Sequence, residues 1–293
     1  MKENRLQPEC IRCLVERQLY AYPADAAPDK QLDYMQRLLG LIAGARRDVG
    51  VPVLSREIKR LKEELFGTAE DYTQIKRHFN ALMLAREGEM QSCIEAAADP
   101  LLEGLKYAFT GNYIDFGAAM HKVDEQQLDE LLASPPPFEA DEQTVASLRA
   151  DLLAAKRIVY LTDNCGEIVM DKLLMRVIRR MNPEAELVVI VRGDDVLNDA
   201  TREDARQVGL DTVARVMDTG SDVAGTWLEE ISQEASHTLK TADVILAKGQ
   251  ANFETMRGCG MNVYYLFMCK CSMFASRFNV PRFTGILTHD SRF

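Results

Sequence analysis

The sequence predicts an α/β protein: a mostly parallel, Rossmann-like three-layer sheet domain preceded by an all-helical N-terminal domain. Three observations predict it. Apolar runs of strand length, Arg157–Leu161 and Leu187–Val191, alternate with helical patterns. The chain before them shows only the 3–4 spacing of buried helix faces. Three consecutive prolines, Pro135 to Pro137, separate the two regimes, because proline cannot continue a helix. The expected domains are therefore 1–137, helical, and 138–293, the α/β domain that carries the site.

Taken in order, Leu32, Met35, Leu38, Leu39 and Ile42 mark one buried helix face. Ser55 is placed to cap a helix carrying Ile58, Leu61 and Leu65. Thr68 with Asp71 reads as a capping box before Tyr72, Ile75, Phe79 and Leu82. A further helix around Leu128, Leu131 and Leu132 ends at the prolines. Beyond them come a helix from about Asp141 to Ala155, the strand Arg157–Leu161 and a helix from Ile168 to Met181. The strand Leu187–Val191 and a helix around Thr201 to Val208 follow. Weaker strands are expected at Val213–Met217, Val244–Ala247 and Val263–Phe267. Strands alternating with helices require right-handed crossovers and a parallel sheet covered on both faces.

The formal charge of −10 argues against a generic nucleic-acid binder, which needs a basic stripe to displace counterions. The longest apolar run, Val263 to Cys269, is too short to span a bilayer, and no secretion signal is visible. Seven cysteines, an odd number in a chain of 293 residues, suit a reducing compartment. A cytoplasmic protein is expected, with neither nucleic acid nor membrane as a partner.

Ligands of parallel α/β sheets bind outside the carboxyl ends of the strands, and the chemically suggestive residues stand at such ends. Asp163-Asn164-Cys165-Gly166-Glu167 follows the first strand, and Asn198-Asp199 follows the second. A lone Asx residue there reads as a helix cap. Two in succession, matched by a second acidic loop, read as hard oxygen ligands for Mg²⁺ or Mn²⁺. Spacing alone leaves Asp194, Asp195 and Asp204 as competitors for Asp199. Lys248-Gly249 follows a third strand and is a candidate phosphate contact, although the P-loop pattern is absent. The four histidines are scattered and no pair has metal-ligand spacing.

Asp163-Asn164-x-Gly166-Glu167, Arg192-Gly193 with Asn198-Asp199-Ala200-Thr201, Asp218-Thr219-Gly220, Lys248-Gly249-Gln250-x-Asn252 and Lys270-Cys271 occur in that order. This series resembles the metal-dependent damage-control phosphatase family, once a domain of unknown function. Cys10-x-x-Cys13 resembles its small stand-alone microbial branch. The resemblance implies hydrolysis of small phosphomonoesters, such as sugar phosphates or damaged phosphometabolites, with Mn²⁺, Mg²⁺, Co²⁺ or Ni²⁺ as cofactor. It makes Asp163, Asn164 and Asp199 the metal ligands; in the mechanism expected with them, metal-bound water, or water positioned by a carboxylate such as Glu167, attacks phosphorus. It assigns substrate contacts to Lys270 and the Gln250–Asn252 segment; Lys248, the phosphate lysine on the reading of the residues, and Asn198 are further candidates, with Lys270 preferred to Lys248 for the phosphate. Ala251 departs from the glycine frequent in the family and removes no ligand. An aspartyl-phosphate route through Asp163 is the mechanistic alternative.

Two rival functions remain. One is an S-adenosylmethionine-dependent carboxyl methyltransferase, against which no glycine-rich loop follows the first strand. The other is a non-catalytic protein that binds a phosphorylated ligand. Cys10, Cys13, Cys269 and Cys271 form a second candidate metal site for zinc or an iron–sulfur cluster, if the two pairs meet. Buried packing is the competing reading of these thiols.

Overall fold

Three prolines, Pro8, Pro28 and Pro52, each stand in the first turn of a helix, where the missing N–H is no loss. The structure is a computed structural model and describes residues 5–67, 71–112, 129–130, 132 and 138–293. It divides into two compact units, Met1–Asp71 and Tyr72–Phe293. In the first, helices Pro8–Gln18, Pro28–Gly44 and Val51–Phe66 gather around Tyr34, which is fully buried and donates to Gln18 Oε1 at 2.7 Å. The second helix buries Tyr34, Leu38 and Ile42, at i, i+4 and i+8. Leu32 and Leu39, expected on the buried face, are exposed instead. The third helix starts at Pro52's turn, so Ser55 lies inside it and caps nothing. Thr68, Leu128, Leu131 and the three prolines at 135–137 lie outside the described residues.

The second unit is built on a seven-stranded sheet: β1 Phe138–Glu139, β2 Arg157–Leu161, β3 Glu186–Val191, β4 Arg215–Asp218, β5 Val244–Lys248, β6 Val263–Met268 and β7 Gly285–His289. Their order is β1-β7-β6-β5-β2-β3-β4. All neighbours are parallel except β6 and β7. The mostly parallel sheet with helices on both faces is the architecture expected from the sequence. β1 and β7 are additions that the apolar runs did not announce.

Alternation along β2 explains the layers. Ile158 and Tyr160 face a core that holds Phe79, Met83, Leu105, Phe109, Leu173 and Leu174. Val159 and Leu161 face a second core with Phe253, Phe267 and Phe274. Helices Thr73–Leu84, Glu87–Ala96 and Pro100–Gly111 thus belong to the sheet's unit. They cover the helix Glu167–Met181, whose buried residues run from Glu167 through Met175 without a break. A helix buried all round lies between two layers, here the sheet and the three helices. Glycine permits the closest approaches. At Gly285 a Cβ would fall 2.3 Å from the Phe109 ring.

The site follows from the strand order. From β2 the chain steps outward to β3 and β4, then returns to place β5 on the other side of β2. The crevice between the carboxyl ends of β2 and β5 is the point of reversal where such sheets bind ligands.

Candidate active site

At the end of β2 the chain continues into Thr162, Asp163 and Asn164, which are joined to the loop after β3. Asn164 and Asp199 form an antiparallel bridge. The Ala200 N–H donates to Asp163 O at 2.8 Å, and the Cys165 N–H to Asn198 O at 2.8 Å. The two acidic segments, 35 residues apart at Asn164 and Asp199, are therefore one backbone unit. Gly166 turns the chain at φ +75°, and its N–H donates to Asn80 Oδ1 at 2.6 Å. Asn80 in turn donates to Asp204 Oδ1 and Gln207 Oε1. The helix Thr73–Leu84 thus holds both loops.

A network of carboxylates lies inside this frame. Asp163 Oδ2 accepts from Asn112 Nδ2 and from Asn164 Nδ2, both at 2.9 Å. Glu167 Oε2 accepts from the same two amides at 3.1 and 3.0 Å. Glu167 Oε1 lies 2.5 Å from Lys248 Nζ, which also donates to Asp171 Oδ1 and Ala108 O, each at 2.7 Å. Asp171 accepts a further bond from Tyr160 OH at 2.8 Å. Glu167, Asp171 and Lys248 are fully buried. Desolvation opposes the Lys248 charge, but Asp171 and Glu167 overcome it and hold the ammonium above its usual range. One lysine cannot neutralise two buried carboxylates. Burial raises Asp171 to about 7, with Lys248 opposing and Glu167 adding.

Asp163, at 6 % exposure, is shifted well upward by burial, then by the charges of Glu167 and Asp199. Lys270 and Arg192 pull the other way. Arg192 is itself buried; its Nε donates to Asp199 Oδ2 at 2.5 Å, and its Nη2 stands 3.8 Å from Asp163 Oδ1. Asp163 packs directly on the backbone of Gly249, at φ +81°, where a Cβ would lie 2.0 Å from Asp163 Oδ2.

These residues fit a hard cation. Both amide protons of Asn164 are bound to carboxylates, while its Oδ1 accepts no hydrogen bond among the described residues. Asn164, 4% exposed as a residue, thus keeps an unbonded carbonyl oxygen beside two buried carboxylates, a donor set suited to a hard cation. Among the described residues no group of three or more His, Cys, Asp or Glu side chains is arranged to hold a metal ion. The set at issue is two carboxylates and an amide.

The other expected residues fall as follows. Lys248, read as a turn residue that could meet phosphate, is the last residue of β5, and all three of its protons are taken internally. Lys270 is partly exposed at the end of β6, and its N–H donates to Gln250 Oε1 at 3.2 Å. Gln250 also donates to Glu254. Asn252 is fully buried; its amide donates to Thr162 O and Lys248 O and accepts from Thr226 Oγ1, so it ties β2 to β5 from within. Asn198 is buried beside Asp199. Asp204 closes a capping box with Thr201 and pairs with Lys76 at 2.8 Å. Asp194 is exposed, and Asp195 accepts from Lys76. Glu167, expected beside the attacking water, has both oxygens engaged within the protein. Cys165 is buried packing. Cys10 is buried and Cys13 exposed in one unit; Cys269 is buried and Cys271 partly buried in the other.

Asn112, Asn80, Asp171 and Tyr160 were not visible as site residues in the sequence. The Gly111-Asn112 pair, closing an apolar helix, was the available signal for the first.

The profile of the damage-control phosphatase ARMT1-like domain matches residues 6–284. A protein of Archaeoglobus fulgidus named damage-control phosphatase is 30% identical over 278 residues, covering 91% of this chain and 93% of its own. Damage-control phosphatase PH1575 of Pyrococcus horikoshii is 32% identical over 180 residues, 61% of each chain. The crystal structure of the PH1575 protein superposes with a TM-score of 0.76 at 24% identity, over 97% of this chain and 99% of that one, which is a likeness of fold.

Proposed function

Because the chain belongs to the damage-control phosphatase ARMT1-like domain family, we propose that it is a metal-dependent phosphatase acting on phosphomonoesters of small metabolites, sugar phosphates or damaged phosphometabolites among them. The observation that carries this reading is the joining of Asp163, Asn164 and Asp199 at the point of strand-order reversal, with Asn164 Oδ1 left unbonded. The names of the relatives support phosphatase chemistry.

In this reading Asp163, Asn164 and Asp199 hold a divalent cation such as Mn²⁺, Mg²⁺, Co²⁺ or Ni²⁺. When bound, it would polarise a phosphoryl oxygen and make water a better nucleophile. The chain's own residues do the rest. Lys270, whose charge reaches Asp163, takes the phosphate from the open side. Arg192 orients Asp199 and shields it from Asp163. Glu167 fixes the Asn164 amide rather than reaching a water, since Lys248 and two amides occupy its oxygens. Lys248 supplies the buried positive charge that keeps Glu167 in place. The pre-set charges stabilise charge developing on phosphorus without covalent chemistry.

Phosphate release from a phosphometabolite panel tests the reading, with each of the four cations added in turn. Release should require a cation and stop with EDTA, and Asp199→Ala should lower kcat/KM by at least about 100-fold, the scale of losing one electrostatic stabiliser. Near-normal cation-dependent turnover by that variant would sink the assignment of Asp199. Binding without turnover would favour a phospho-ligand binding protein, and affinity for S-adenosylmethionine would favour a methyltransferase.

A further inference from the structure

The Asp163 and Glu167 oxygens that face one another are bridged twice, once by Asn164 and once by a residue from outside the strand-end loops. Asn112 follows the helix Pro100–Gly111 as its C-cap and is fully buried. Its Nδ2 gives one proton to Asp163 Oδ2 and the other to Glu167 Oε2. Its Oδ1 accepts the backbone N–H of Met268, the last residue of β6, at 3.1 Å.

That third bond settles which way the amide points. Turned over, Asn112 would set its oxygen against two carboxylate oxygens and its NH₂ against a backbone N–H. All three contacts would become repulsive. The approach also depends on Gly111, where a Cβ would lie 2.9 Å from Glu167 Cγ. The helix end is thus shaped to press against Glu167.

We propose that Asn112 is a positioning residue of the site: by fixing Asp163 Oδ2 and Glu167 Oε2, it holds the Asn164 amide so that Asn164 Oδ1 and Asp163 Oδ1 stay available to a divalent cation. The proposal rests on the metal-dependent phosphatase reading. Asn164 shares both of its acceptors with Asn112, so the carboxylates cannot swing toward Asn164's oxygen face while Asn112 holds them. Ligand-orienting partners of this kind are worth about 10–100-fold in metal affinity.

The test is Mn²⁺ binding to the full chain by calorimetry, with no turnover involved, alongside phosphate release from p-nitrophenyl phosphate. Asn112→Ala removes the amide, and Asn112→Leu keeps the branched shape without donors. Thr110→Ala is the control for lost packing: Thr110 is buried on the same helix, and its hydroxyl bonds Lys106 O rather than either carboxylate. The expected result is a Kd for Mn²⁺ raised about 10–100-fold in both Asn112 variants and unchanged in Thr110→Ala. If the Asn112 variants unfold cooperatively yet bind Mn²⁺ within about threefold of wild type, the assignment of Asn112 falls and the phosphatase reading stands. An equal loss in Thr110→Ala also overturns the assignment, since general destabilisation then accounts for it. Wild type that neither binds Mn²⁺ nor releases phosphate overturns the phosphatase reading and this proposal with it.

Discussion

Replacing Lys248 by Met should destabilise the second unit by about 3–5 kcal/mol, the range for removing one partner of a buried ion pair. The geometry sets that figure. Nζ lies 2.5 Å from Glu167 Oε1 and 2.7 Å from Asp171 Oδ1, and none of the three side chains is exposed. Two stranded carboxylates would suggest a larger loss. Asp171, however, is already raised to about 7 and can take a proton near neutral pH, which leaves Glu167 as the main uncompensated charge. Methionine nearly fills the vacated stem, so cavity formation adds little. For a unit of this size the loss corresponds to a fall in Tm of about 6–20 °C. Trp227, the one tryptophan of the sequence, is buried in the same unit, so its fluorescence reports the transition during heating or urea titration. A variant that melts within about 1 kcal/mol of wild type would refute the claim that this lysine compensates the buried charge of Glu167.

Two further outcomes follow from the same interior. The Asp171 carboxyl is raised from 3.8 to about 7 in the folded state, by burial first, with Lys248 opposing. Its contribution to stability is therefore fully present below about 3.8 and lost as pH rises through about 7. The stability of wild type relative to Asp171→Asn should decline across that window and level off above it. A difference in urea midpoints that is flat with pH would contradict the shift. Gly249→Ala should abolish Mn²⁺ binding and destabilise the fold by about 1–3 kcal/mol or more, because its φ of +81° is strained for alanine and its Cβ would strike Asp163 Oδ2. Calorimetry and melting that match wild type would contradict the close packing there.

How much of this could be read from the sequence depended on whether the signal was local. β2 spans Arg157–Leu161 as expected, because a continuous apolar run bounded by Lys156 and Thr162 has one reading in a buried parallel sheet. The linkage of the Asp163 and Asp199 loops was also legible, since parallel strands put their carboxyl ends on one edge. The competition among acidic residues could have been narrowed further. Thr201-Arg202-Glu203-Asp204 has capping-box spacing, and the structure uses Asp204 that way. Ser55 misled because Pro52, three residues earlier, was the stronger start signal. β7 escaped notice because Gly285 to His289 is short and mixed in character, and antiparallel pairing to β6 has no local mark. Lys248 was misplaced for a different reason. A lysine beside a glycine looks like a surface turn, and only the partners from Glu167, Asp171 and Ala108, 77 to 140 residues away in sequence, make burial favourable.

The bond from Met268 N–H to Asn112 Oδ1 spans 156 residues. It also bears on the order of events during synthesis. A ribosome makes Asn112, Asp163 and Asp199 well before Met268, yet the amide cannot be oriented until β6 has emerged and joined the sheet. The carboxylates that Asn112 bridges, Asp163 and Glu167, thus exist in the nascent chain before the strand that orients the bridging amide. The orientation of that amide is consequently a property of the finished sheet rather than of the growing chain.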